Sequence, residues 1–209
     1  MSKRFIIFPL IGVAIGLGLI LGFYKFQQPS GFVYKDINGS TASIGGDFTL
    51  TDQFGKKRST TEFRGKIVLV YFGYTYCPDV CPMALENITK ALQSLQKDRD
   101  KIAVLFISVD PARDTTEVLK LYSTNFDPNI IMLNGSQDAV QDAMAKYKVY
   151  AKKEKKEEFS DYLMNHTSVV YVMGTSGEYL SSFAHSTNPD VIKSTLLKVL
   201  QSHVSLSPQ

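Results

Sequence analysis

Ile67, Val68, Leu69, Val70, Tyr71 and Phe72 form an unbroken apolar run rich in β-branched side chains, the pattern of a short strand buried on both faces. Gly73 then bends the chain. Behind it come Cys77 and Cys81, the only cysteines in the sequence, each followed by a proline, Pro78 and Pro82. A helical pattern starts at Met83. A strand buried on both faces needs a sheet covered on both sides, so the rest of the chain has to supply the layers around this pair of thiols.

The neighbouring segments do so. Residues 47–52 alternate as a strand, and Gln53, Phe54, Gly55 and Lys56 carry a turn signal before another short extended piece. From residue 83 to about 97, Leu85, Ile88, Leu92 and Leu95 recur at spacings of three and four, giving an amphipathic helix of about four turns. Residues 102–109 are a second buried strand, closed by Asp110 and Pro111, after which Asp114 or Thr115 can cap a helix carrying Val118, Leu119 and Tyr122. Residues 130–133 form a third strand, followed by a helix over 137–146. Residues 152–158 mix lysines and glutamates and read as a solvated loop or hairpin tip. Residues 167–173 and 178–183 make a hairpin around Gly174 and Gly177, and a last helix runs over 189–203. Strand, helix, strand, helix, strand predicts an α/β sheet with parallel crossovers, mixed because of the terminal hairpin. That order fits a thioredoxin-like fold.

The N-terminus is of another kind. Residues 5–24 are uncharged and apolar, and as a helix this run of about 20 residues spans about 30 Å, the hydrocarbon thickness of a bilayer. It is longer than the apolar core of a cleaved signal peptide, at about 7–15 residues, and lacks the small-residue cleavage site. Lys3 and Arg4 precede it and Lys25 follows, so the positive-inside bias places the N-terminus in the cytoplasm and the bulk of the chain outside. With little Arg and Ser in the segment, a bacterial inner membrane fits better than mitochondrial import, and the C-terminal domain then faces the periplasm. The expected organisation is an anchor over 1–25, a polar tether over 26–45, a globular domain over 46–203 and a tail over 204–209. A formal net charge of +3 on 209 residues, with acids and lysines interleaved, leaves no electrostatic footprint for nucleic acid.

Thiols four residues apart at a strand–helix junction can converge, and converging sulfurs either close a disulfide or hold a soft metal ion as thiolates. Helix N-terminal amides near Cys81 are expected to favour its thiolate, and the prolines stiffen the turn. Dithiol oxidoreductases usually carry two residues between their cysteines, whereas three stand here. A structural zinc site needs four ligands, so histidines would have to complete it. Of the three histidines, His203 sits in a polar helix end and His185 at the end of the hairpin. His166 directly precedes a strand of the same sheet, where a thioredoxin-like fold brings a loop against the cysteine turn. With Cys77 and Cys81 it makes a soft Cys2His set suited to Cu(I). Met83 and Met164 read as core filler and Asp79 as an exposed turn residue.

Several stretches resemble the Sco/SenC family of membrane-anchored copper chaperones, over about residues 45–198. They are Phe63, Arg64, Gly65 and Lys66; Tyr71 to Thr75 running into Cys77, Pro78, Asp79, Val80, Cys81 and Pro82; Ser108 to Pro111 with Arg113, Asp114 and Thr115; and Asp161 and Tyr162 ahead of His166 and Thr167. The resemblance implies one copper ion per chain on Cys77, Cys81 and His166, a redox-active Cys77–Cys81 pair, and a role in building the binuclear copper centre of cytochrome c oxidase. Its implied partners are the copper-centre subunit of the oxidase and a separate copper donor. Many members carry an acid directly before the histidine, where this chain has Asn165. The alternative function is a thiol-disulfide oxidoreductase that reduces the oxidase cysteines; a thiol peroxidase fits less well, because the threonine spacing before Cys77 is not the usual one.

Overall fold

The computed structural model describes residues 44–155 and 161–204. The expected anchor, all but the last two residues of the tether, and residues 205–209 of the tail lie outside the described residues. Among the described residues no helix is long and apolar enough to cross a membrane.

Among the described residues nine strands and four helices follow in order: β1 Thr49–Asp52, β2 Lys57–Ser59, β3 Ile67–Gly73, α1 Val80–Ser94, β4 Ile102–Ser108, α2 Thr116–Ser123, β5 Ile130–Asn134, α3 Gln137–Lys146, β6 Ala151–Lys155, β7 Tyr162–His166, β8 Val169–Met173, β9 Tyr179–Ala184 and α4 Pro189–Val204. Seven strands form one sheet in the order β2-β1-β5-β4-β3-β8-β9. β3, β4 and β5 run parallel, as two successive helical crossovers require, and antiparallel strands complete both flanks. This is the mixed, thioredoxin-like sheet that the sequence predicts. β3 and β4 sit at its centre, and every residue of both is buried. α1 and α4 pack together, while α2 packs against β5.

The sheet's two ends have different occupants. At the N-terminal end of β3, Met173 pairs with Val68, and Gly45 approaches so closely that a Cβ there would lie 2.6 Å from the Met173 methyl. The chain entering at Ile44 is therefore seated against that end. At the other end lie Gly73 and the loop carrying the cysteines.

Three local readings change. α1 starts at Val80 rather than Met83, because a proline in the first helical turn interrupts no needed hydrogen bond, so Pro82 is no barrier. Gly73 does not bend away; it is the last residue of β3 and pairs with Ser108. The charged run is strand over 152–155, its residues 156–158 lying outside the described residues: β6 pairs residue for residue with β7, forming a second, two-stranded sheet. β6 is exposed along most of its length, so it shows no alternation for sequence reading to find. His166 accordingly ends β7 instead of leading into β8.

Candidate metal centre

The site is assembled where the C-terminal end of β3, the first turn of α1 and the end of β7 meet. Cys81, in the first turn of α1, is fully buried, whereas Cys77 on the preceding loop and His166 are half-buried. One sulfur or nitrogen from each of the three lies within 4.8 Å of the other two. Cys81 Sγ stands 3.5 Å from His166 Nε2, and both cysteines are free thiols.

Gly73 is needed here for space. A Cβ on it would lie 3.0 Å from Cys81 Sγ and 2.6 Å from the Phe106 ring, so only glycine lets the sulfur settle against the strand end. Tyr71, inside β3, donates its O–H to Cys81 Sγ at 3.6 Å, and burial pushes that phenol up, which keeps it a donor.

His166 is oriented from both sides. Its Nδ1 lies 3.0 Å from the Thr167 carbonyl oxygen, which can only accept, so Nδ1 carries the proton and Nε2 turns its lone pair to the sulfurs. The Tyr74 and Tyr71 rings meet the imidazole edge to face, at centroid separations of 5.7 and 6.5 Å. The bond that sets the tautomer therefore comes from Thr167 and not from Asn165, which is exposed and stands opposite Lys152.

The two thiols differ in a way the sequence reading reversed. The Cys81 backbone N–H donates to Cys77 Sγ at 3.3 Å, filling a helix terminus at which Asp79, the N-cap residue, makes no side-chain cap bond. Hydrogen bonding, led by the Cys81 thiol, outweighs burial and holds Cys77 down at about 4. Its hydrogen bond to the Cys77 sulfur, followed by burial, pushes Cys81 up. The helix amide thus favours the thiolate of Cys77, the residue outside the helix, because a sulfur inside the first turn cannot reach back to its own amide.

Behind the cysteine loop, Asp114 is fully buried and accepts from the Thr75 backbone N–H at 3.0 Å, from the Thr75 hydroxyl at 2.5 Å and from the Ser108 hydroxyl at 2.6 Å. Burial raises its carboxyl, and these bonds work against that rise. The cap of α2 is Thr115, whose side chain accepts from Val118 N, so Asp114 is free to pin the loop.

A cleft of about 350 Å³ opens beside Cys77 and His166, between the 78–80 loop and β7. Asp79 is exposed at its rim, and Met164, buried, lies beneath it. His185 is not part of the converging group, and the side chain of His203 lies outside the described residues. Two thiolates and one imidazole make a soft donor set of the kind that selects Cu(I) over hard cations.

Comparison with known proteins finds copper-bound structures among those similar to this chain. The SCO1/SenC family profile matches residues 37–201. A "SCO2-like protein" of Rickettsia felis is 34% identical over 185 residues, covering 87% of this chain and 90% of its own. Among solved structures, Bradyrhizobium japonicum ScoI with copper bound superposes with a TM-score of 0.70 at 41% identity, over 75% of this chain and 99% of that one. BsSco, described as a member of the Sco family of cytochrome c oxidase assembly proteins and as carrying a disulfide switch, superposes with a TM-score of 0.59 at 25% identity, over 75% of this chain and 94% of that one.

Proposed function

This chain belongs to the SCO1/SenC family, and on that premise we propose that it is a membrane-anchored protein that binds one copper ion and delivers it to the binuclear copper centre of cytochrome c oxidase. The observation that carries the reading is the convergence of Cys77, Cys81 and His166 within 4.8 Å beside an open cleft. In this reading residues 5–24 anchor the chain in a bacterial inner membrane, and the described domain works on the periplasmic side. Its partners are the copper-centre subunit of the oxidase and a copper donor.

The asymmetry of the ligands supports a transfer role. Cys81 is enclosed, while Cys77 and His166 are reachable from the cleft, so an incoming cysteine of the acceptor can displace those two before the last sulfur lets go. Oxidising both thiolates to a disulfide removes two electrons and the two sulfur donors together, which ties copper retention to the redox state around the protein.

The test is a titration of the full chain in detergent, reduced and anaerobic, with Cu(I) against a competing chelator, beside Cys77→Ser and His166→Ala. One tightly held ion is expected, held measurably more weakly in both variants. Weak binding indifferent to His166 would overturn the metal site. Delivery is tested by mixing the loaded protein with the metal-free copper-centre subunit; failure of the ion to move would remove the chaperone role.

A thiol-disulfide oxidoreductase is the second reading, favoured by one observation: the Cys81 backbone N–H donates to Cys77 Sγ, which favours Cys77 as the thiolate and nucleophile of the pair. Cys77 would attack the acceptor disulfide, and Cys81 would then release the reduced acceptor as the Cys77–Cys81 disulfide forms. Here His166→Ala should leave acceptor reduction intact, whereas copper delivery requires the imidazole.

A further inference from the structure

The ligands come from two separately hydrogen-bonded sheets. Cys77 and Cys81 belong to the loop and helix that follow β3 of the main sheet, while His166 ends β7, which among the described residues pairs with β6 alone. His166 is joined to β8 of the main sheet through Thr167 and Ser168, so its distance from the sulfurs depends in addition on what holds the far end of the hairpin.

Arg113, in the loop after β4, touches both parts. Its Nε donates to Asp110 Oδ2 at 2.5 Å, and its Nη1 donates to the Tyr162 carbonyl at 2.9 Å and to Asp161 Oδ2 at 3.2 Å. The guanidinium carbon lies 3.6 Å from the centroid of the Tyr162 ring and 4.7 Å from that of Tyr76, the residue next to Cys77. The Tyr162 hydroxyl donates to the other Asp110 oxygen at 2.9 Å, closing a ring of three side chains. Nη2 is buried with no hydrogen-bond partner, so the group is placed for stacking between rings as well as for pairing. Tyr162 opens β7 and His166 closes it, about 13 Å further along the strand.

We propose that Arg113 is a positioning residue that sets the spacing of His166 from the two sulfurs, by clamping the far end of β7 to the loop of Asp110 and to the loop of Cys77. It rests on the metal-binding reading of the site, and it acts through His166 without touching the ion. The consequence is non-additivity: removing Arg113 matters only while His166 is there to be placed.

The experiment is a double-mutant cycle on the full chain in detergent, with Cu(I) affinity measured against a competing chelator and the thermal midpoint of the metal-free form measured alongside. Arg113→Ala is expected to weaken Cu(I) by about ten- to hundredfold, the usual effect of losing a group that orients a ligand, and by less than about twofold when His166→Ala is already present. Tyr162→Leu, which removes the ring and hydroxyl from the hairpin side, is expected to cost a similar factor and to add little to Arg113→Ala. An equal loss in both backgrounds would show general destabilisation and overturn the clamp, as would unchanged affinity in Arg113→Ala. If the unaltered protein holds no Cu(I), the metal reading fails and the clamp falls with it; if it holds Cu(I) but the cycle shows no coupling, the clamp alone fails.

Discussion

Replacing Gly73 by alanine adds one methyl group where β3 meets Cys81 of α1 and Phe106 of β4. The new carbon would lie 2.6 and 3.2 Å from two atoms of the Phe106 ring and 3.0 Å from Cys81 Sγ, against about 3.5–4.0 Å for comfortable carbon contacts. Neither neighbour has room to retreat. Phe106 and Cys81 are both fully buried, and the Phe106 ring is backed by Tyr71 and Tyr122 at centroid distances of 6.1 and 5.9 Å. The backbone at Gly73 has no special need for glycine, so overpacking alone sets the cost, about 1–3 kcal/mol. At about 2–4 °C per kcal/mol for a domain of this size, the melting midpoint of the metal-free protein should fall by roughly 2–12 °C. Whatever share of the overlap is relieved by moving Sγ also disturbs the donor set, so Cu(I) should be held less tightly and should raise the midpoint less than in the unaltered protein. Calorimetry of both forms, with a chelator competition, reads both effects. A midpoint within about 1 °C of the parent and an unchanged affinity would refute the reasoning, because the strand end would then yield where the packing says it cannot.

In the reduced, metal-free protein, iodoacetamide should label Cys77 and spare Cys81, at a rate nearly flat between about pH 5 and 8, because a thiol held at about 4 is already ionised across that range. A tenfold rise per pH unit, as for an ordinary thiol, would contradict the hydrogen bonding described at Cys77. The raised carboxyl of Asp114 keeps its proton in the folded chain at pH values where the unfolded chain has released it. Its contribution to stability is therefore complete below the ordinary carboxylate range and is lost as pH rises through its own raised value. Asp114→Asn should remove that portion of the pH dependence in acid-to-neutral thermal melts, and should cost about 1–3 kcal/mol where a donor of half-buried Thr75 or buried Ser108 is left unmatched; an unaltered slope would exclude Asp114 as its source.

Much of the fold was legible because it is written in apolar periods. The runs in β3, β4 and β5 and the spacing in α1 reflect burial directly, and burial is what a sequence displays best. The β6–β7 hairpin was hidden for the opposite reason. Lys152, Lys153, Glu154 and Lys155 face water, so nothing alternates, and the strand exists through its ladder to β7. The three converging residues, Cys77, Cys81 and His166, could be picked out from residue type, cysteine spacing and the expected thioredoxin-like topology. Which thiol receives the helix amide could not, since it turns on a start at Val80 that Pro82 obscured. Asp114 and Arg113 were visible as letters, yet their roles depend on partners as far off as Thr75 and Tyr162, and no local pattern encodes such a pairing.

The seat of the entering chain carries a mechanical consequence. Ile44 and Gly45 meet the domain beside Met173, across from Val68, whereas the thiols stand beyond Gly73, about 17 Å further along β3 at 3.3 Å per residue. β3 is the central, fully buried strut between the two points. A pull on Ile44 is therefore taken up at the foot of the sheet, while the half-buried Cys77 and its cleft stand at the opposite end, away from that load.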